Sequence, residues 1–231
     1  GVRCFGARVP TASRGPCGWW WAPGWGHVGM REGGIFALCG SRSGVAVLTA
    51  SEEGGAPEVA WGDSFFYYVA PGQEPNYQQQ PFATLVCSDY PGFDVESRLD
   101  RPGIFRVNVA VGRDRYRHLL GHAAADHPQH HADYDYARAD VIVPHPVYAE
   151  QGWVAVVNPG LHTAAQLQEL LRDALELAAD RDKRRQRTGT ASHGRTPPGP
   201  WQTAWPSADR PPFCPTQRAT STLHTHTRVP P

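Results

Sequence analysis

The sequence predicts an α+β domain: an antiparallel sheet of four to five strands with helices packed on one face, between two disordered extensions. Three observations lead there. Apolar, β-prone runs recur at 45–49, 64–69, 82–87, 104–110 and 153–157, joined by polar or hairpin-like connections. Only two stretches after residue 44 carry helical periodicity, and they do not alternate regularly with the strands, which disfavours a doubly wound parallel sheet. Gly and Pro, 24 and 22 in number, crowd towards the ends and leave residues 44–187 as the part able to bury one core.

Residues 1–43 read as a poorly ordered or non-native extension. Gly15, Pro16, Gly18, Pro23, Gly24 and Gly26 interrupt any long element. Trp19, Trp20 and Trp21 have no basic residues between them, so they do not form the usual stacking platform for bases. Met30, the one methionine, marks a candidate start of the natural domain. Ile35 to Leu38 is a short apolar piece within this extension.

The first strand is Val45-Ala46-Val47-Leu48-Thr49, followed by the Gly54-Gly55-Ala56-Pro57 turn. Ser64-Phe65-Phe66-Tyr67-Tyr68-Val69 is the most β-prone run of the chain. A polar loop then runs from Pro71-Gly72 to Pro81. Phe82 to Cys87 is apolar on both faces and reads as an internal strand. Ser97 to Asp100 is placed as one helical turn before Pro102-Gly103.

Ile104 to Ala110 is the central strand. Phe105, Val107 and Val109 point into the core, while Arg106 and Asn108 share the opposite face. Arg113 to Leu120 is a short helix ended by Gly121. Residues 121–139 form a loop dense in His and Asp. Asp140 to Pro144 is an extended piece and Trp153 to Val157 a strong strand. Thr163-Ala164-Ala165-Gln166 has capping-box form, and Leu167, Leu170, Leu171, Ala174 and Ala178 make the buried stripe of the helix behind it. Residues 188–231 are rich in Pro, Thr, Ser and His and read as a disordered tail.

Composition excludes several functions. Lys plus Arg and Asp plus Glu both number 22, which argues against a general nucleic-acid binder. No apolar run of about 18 residues offers a membrane span. No basic segment with an apolar core opens the chain, so the expected location is cytoplasmic. Cys4, Cys17, Cys39, Cys87 and Cys214 form no zinc pattern, and Cys87 is expected as a buried free thiol. Gly29, Gly33 and Gly34 lack phosphate-loop spacing, and no GxSxG elbow exists, so no cofactor is expected.

The order of motifs carries a resemblance. Trp61-Gly62-Asp63-Ser64-Phe65-Phe66-Tyr67-Tyr68 is followed by Pro81-Phe82-Ala83-Thr84-Leu85-Val86. Leu99-Asp100-Arg101-Pro102-Gly103-Ile104-Phe105-Arg106-Val107-Asn108-Val109 comes next. Val143-Pro144-His145-Pro146-Val147-Tyr148 and Gly152-Trp153-Val154-Ala155-Val156-Val157-Asn158-Pro159 complete the set. Residues 44–185 thereby resemble an uncharacterised actinobacterial family of unknown function, DUF6194-like. More loosely they resemble the MmcQ/YjbR-like group, which implies a YjbR-like sheet backed by helices. The resemblance implies no reaction, cofactor or substrate.

Candidate residues follow from the pattern. Arg106 beside Asn108, with Arg101 just before the strand, offers charge-assisted binding of a carboxylate or phosphate. The competing account pairs Arg106 with Asp94, Glu96 or Asp100 to hold a loop. Trp61 and Tyr148 are placed near the same site. His145, stiffened between Pro144 and Pro146, and Asp63 are the candidate acid and base. Each also has a structural reading, His145 as a turn residue and Asp63 as a loop carboxylate. His122, His127, His130 and His131 match no metal motif, and no metal is expected. The expected function is binding of an anionic small molecule or a partner protein. The alternatives are an enzyme using a His/Asp acid–base pair, or weak DNA binding through Arg113, Arg115 and Arg117.

Overall fold

The computed structural model describes residues 32–40 and 42–187. The Trp19–Trp21 run, the start at Met30 and the tail after 187 lie outside the described residues. The chain order is α1 (Glu32–Gly40), β1 (Val45–Thr49), β2 (Ser64–Tyr68), β3 (Ala83–Val86), β4 (Arg106–Ala110), α2 (Arg113–Leu120), α3 (His127–His130), β5 (Ile142–Pro144), β6 (Trp153–Val157) and α4 (Ala164–Arg187). Among the described residues six strands form one sheet in the order β1-β2-β3-β4-β6-β5, and every neighbouring pair is antiparallel.

The strand count of four to five is corrected to six. The addition is β5, three residues long and ending in a proline. Its brevity hides it in a sequence pattern, and its edge position lets Pro144 lack an amide donor without breaking the ladder. A second difference lies at the start. Helix α1 precedes residue 44, and its Ile35 and Cys39 are fully buried in the main core.

Helices cover one face of the sheet. Ile35 of α1, Tyr116 of α2, and Leu167, Leu170, Leu171 and Ala174 of α4 pack against Phe66, Leu85, Val107, Val109, Val154 and Val156. The alternation along β4 puts Val107 and Val109 in this core, as the strand period requires.

The other face is also buried, by connections rather than helices. Ala50, Ala56, Tyr90 and Leu99 from loops, with Ala60 from a 3-10 turn (Glu58–Ala60), pack on Phe65, Tyr67, Val86 and Val157. Register sets what meets there. Phe65 opposes Thr84, Thr84 opposes Asn108, Asn108 opposes Ala155 and Ala155 opposes Val143, so all five side chains share this face. Arg106 lies in the adjacent row, between Val86 and Val157.

Several local expectations change. Cys87 is disulfide-bonded and half-buried, not a buried free thiol. Thr163 does not act as a capping box; its hydroxyl donates to Asp140 at 2.6 Å. Asp140 Oδ1 also accepts from the Gly160 and Thr163 amides, and its Oδ2 from the His162 amide, so a carboxylate distant in sequence organises the entry to α4. Ser97 to Asp100 is irregular, with Arg98 at φ 50°, instead of one helical turn. Gly121 does end α2 in the left-handed conformation, donating to Arg117 O.

Candidate functional site

Seven polar side chains from distant parts of the chain lie under the connection that follows β3. Arg106 is 2% exposed on the central strand. Its two terminal nitrogens meet both oxygens of Asp94, at 3.0 Å and 2.5 Å, in a bidentate pair. The same guanidinium donates to Ser97 Oγ at 2.7 Å. Asp63, immediately before β2, accepts from the Cys87 amide at 2.8 Å and from the Tyr90 hydroxyl. Asn108 donates to Thr84 Oγ1 at 2.9 Å across the β3–β4 pair.

His145 lies on the same side of the sheet. Its amide donates to Trp153 O, which continues the β5–β6 ladder by one residue beyond Pro144. Its Nδ1 accepts from the Val147 and Tyr148 amides at 3.1 and 3.3 Å. The ring proton therefore resides on Nε2. Tyr148 packs on the imidazole with ring centroids 4.9 Å apart.

Burial governs the electrostatics. It lifts the Asp63 carboxyl to about 7, against the hydrogen bonds from Tyr90 and Cys87 and the charge of Arg106. Burial likewise pushes the His145 ring down to about 3, assisted by Arg106 and opposed by Asp94. For Asp94 burial acts upward, but the charge and hydrogen bonds of Arg106 outweigh it and the net displacement is downward. Between about pH 3 and pH 7 burial thus favours a neutral Asp63 carboxyl and a neutral His145 ring beside the compensated Arg106–Asp94 pair.

The sequence candidates separate on this map. Arg106, Asn108, Asp63, His145 and Tyr148 lie on the loop-covered side. Arg101 sits on a surface turn, donating to Arg98 O and Ser97 O. Trp61 is 39% exposed and its indole donates to Ala56 O at 2.9 Å. The pairing of Arg106 with Asp94 is the loop-holding arrangement weighed against an anion anchor. Arg115 of the alternative basic helix is half-buried and lies 3.8 Å from Asp173 of α4.

A second polar constellation is open to solvent and was not singled out from the sequence. Arg181, Arg184 and Arg185 of α4 face Tyr68, Gln79 and Gln80 across a groove of about 450 Å³. Gln79 is fixed in it, donating to Tyr68 O at 2.6 Å and accepting from Arg185 at 3.2 Å. Its sequence signal is the run Arg181-Asp182-Lys183-Arg184-Arg185, which reads as a charged helix end until the polar 71–81 loop is placed beside it. Among the described residues no group of three or more His, Cys, Asp or Glu is placed to hold a metal ion. Among them, too, no helix is long and apolar enough to cross a membrane.

A helix-backed antiparallel sheet with a buried polar layer on its other face defines a small α+β domain. Residues 30–187 match the family of unknown function DUF6194, and the chain belongs to that family. No curated protein matches the chain. Among solved structures, it is similar to Deinococcus radiodurans protein DR2400, which carries a DUF419 domain. The two share 14% identity, with 73% of this chain and 95% of that chain covered, at a TM-score of 0.39.

Proposed function

We propose that this domain binds a small anionic molecule, and that the groove between the 71–81 loop and the end of α4 receives it. The observation that carries the reading is the convergence of three guanidinium-bearing residues with the fixed Gln79 amide on one open groove. Its volume, about 450 Å³, falls in the range of small-molecule sites. Arg181 is half-buried there. Burial, and then the charges of Arg184 and Arg185, displace its pKa downward, so a bound anion would relieve a repulsion already present. Basic residues at a helix C-terminus also favour the helix dipole, which accounts for their presence on α4 but not for the facing glutamines.

Arg106 is the weaker anchor in this reading, because Asp94 and Ser97 already engage its terminal nitrogens and the side chain is buried. An acid–base enzyme remains a second reading, supported by Asp63 near neutrality and by its sharing with His145 the electrostatic influence of one Arg106–Asp94 pair. Burial of both groups opposes it, since a reacting atom needs access. The MmcQ/YjbR-like relation belongs to this proposal as well and rests on the order of the motifs.

The test is titration of the full chain with inorganic pyrophosphate at constant ionic strength, followed by amide NMR. Saturable shifts at Tyr68, Gln79, Gln80 and Arg181, weakened roughly tenfold or more in an R181Q/R184Q variant, would support the groove. Shifts reproduced by chloride, or unchanged in the variant, would reject it.

A further inference from the structure

Between α2 and β5, four imidazoles stand in ring contact. His122 stacks on His130 with centroids 4.3 Å apart and planes 20° from parallel. His127 lies 6.0 Å from His122 and 5.5 Å from His131. It is 4% exposed, its Nε2 meets the Tyr136 hydroxyl at 3.2 Å, and its Nδ1 is buried with no hydrogen-bond partner. Tyr136 in turn packs on Val143 of β5 and Ala155 of β6. The cluster therefore sits between a helical loop and the β5 edge of the sheet.

We infer that this cluster is an acid-sensitive latch: protonation of His127 releases the 121–139 segment from the sheet edge and exposes Tyr136 and Val143. The groups facing His127 explain why a proton is not accommodated in place. Tyr116 of α2 stacks edge-on against His122. His122, His130 and His131 surround the ring, and Tyr134 lies 6.2 Å away. The nearby carboxylates serve other rings: Asp133 meets His130 at 3.1 Å and Glu96 meets His131 at 3.2 Å. Asp126 precedes His127 on the exposed side of the turn. A proton on the buried ring would thus join three imidazoles and the tyrosines Tyr134 and Tyr136, without a carboxylate partner.

The direction of the effect follows by linkage. Burial holds the His127 ring down at about 4, and the charges of His131, His122 and His130 act the same way. In an opened segment the ring regains an ordinary value near 6.5. A group depressed in the closed state stabilises it fully above the ordinary value and ceases to do so as pH falls through the depressed one. Between pH 7 and pH 5 the opening equilibrium rises roughly twentyfold from His127 alone.

Hydrogen exchange of the full chain tests this, with rates corrected for intrinsic pH dependence. The expected result is faster exchange across 121–139 at pH 5 than at pH 7, by roughly that twentyfold factor, with α4 protection unchanged. A His127→Phe variant should lose the acceleration. An equal response in the variant, or no segment-specific acceleration in the native chain, overturns the latch. Should the variant not fold, the His127 ring resonance decides: a neutral ring down to about pH 5 supports the latch, and ordinary titration near 6.5 overturns it. The inference does not depend on the anion groove, which lies on other elements.

Discussion

Arg106 and Asp94 form a two-point ion pair between the central strand and the connection that covers it, with side chains 2% and 4% exposed. The pair fastens an irregular segment to the sheet by charge-assisted bonds in a low-dielectric setting. It needs both members, because either one alone is a buried charge without compensation.

Removing one partner should therefore be costly. Asp94→Ala is expected to destabilise the domain by about 3–5 kcal/mol. An Asp94→Leu/Arg106→Met double variant should regain much of that loss, because it leaves no unpaired charge. Urea denaturation of the two variants and the native chain checks the ordering.

Asp63 and His145 make stability depend on pH with opposite signs. Asp63 is raised in the fold, to about 7, so its contribution is complete at low pH and is lost as pH rises from its ordinary value near 4 through 7. His145 is depressed, to about 3, so its contribution is complete above its ordinary value near 6.5 and is lost as pH falls through 3. Asp63→Asn should remove the first slope and leave the second. Stability measured by denaturant titration from pH 4 to 8 shows this as a weaker decline on the neutral side.

Gly152 permits a close crossing of two backbones. It has φ 80°, and a Cβ there would lie 2.6 Å from the Gly112 carbonyl carbon and 2.9 Å from the Arg113 nitrogen. Gly112 donates its amide to Gly152 O at 3.0 Å, which fixes the approach of β6 to the start of α2. Gly152→Ala should cost at least about 2 kcal/mol, since strain and backbone overlap add. Gly103→Ala is the control, because its Cβ would meet nothing within 4 Å at a similar φ of 73°. The difference between their thermal midpoints measures the overlap.

Asp140 anchors the entry to α4. Partial burial acts against its charge, but bonds from Thr163, His162 and Gly160 hold its carboxyl well below the usual range. Asp140→Ala should destabilise the domain by about 2 kcal/mol and loosen the first turn of α4. His162→Ala should do little, since that side chain is 86% exposed. Amide exchange at residues 163–167 distinguishes the two.

The strand pattern was legible because side-chain alternation is local. Val107 and Val109 on one face, with Arg106 and Asn108 on the other, follow from the two-residue period alone. The α4 stripe of Leu167, Leu170, Leu171 and Ala174 follows from the 3.6-residue period in the same way. What cannot be read locally is the covering of a face. A polar alternation resembles a solvent-facing surface until the connection bearing Asp94, Ser97 and Tyr90 is placed over it.

The same limit separates β5 and α1 from the longer elements. Ile142–Pro144 is too short to show a period, and α1 contains several glycines that lower helix propensity. Each is held by packing outside itself: β5 by its ladder with β6, and α1 through Ile35 in the main core. Gln79 and Arg185 meet for a similar reason, although they are 106 positions apart.

By itself, the sequence determined the α+β class, the main strands, the long terminal helix and the opposed faces of β4, because these depend on periods of a few residues. Only the tertiary structure decided that Arg106 and Asn108 are buried, that Asp94 neutralises Arg106, and that an open arginine groove lies at the end of α4. Desolvation and pairing depend on which distant segments pack together. The charge state of Asp63 and His145 is set by that packing, and residue type alone does not contain it.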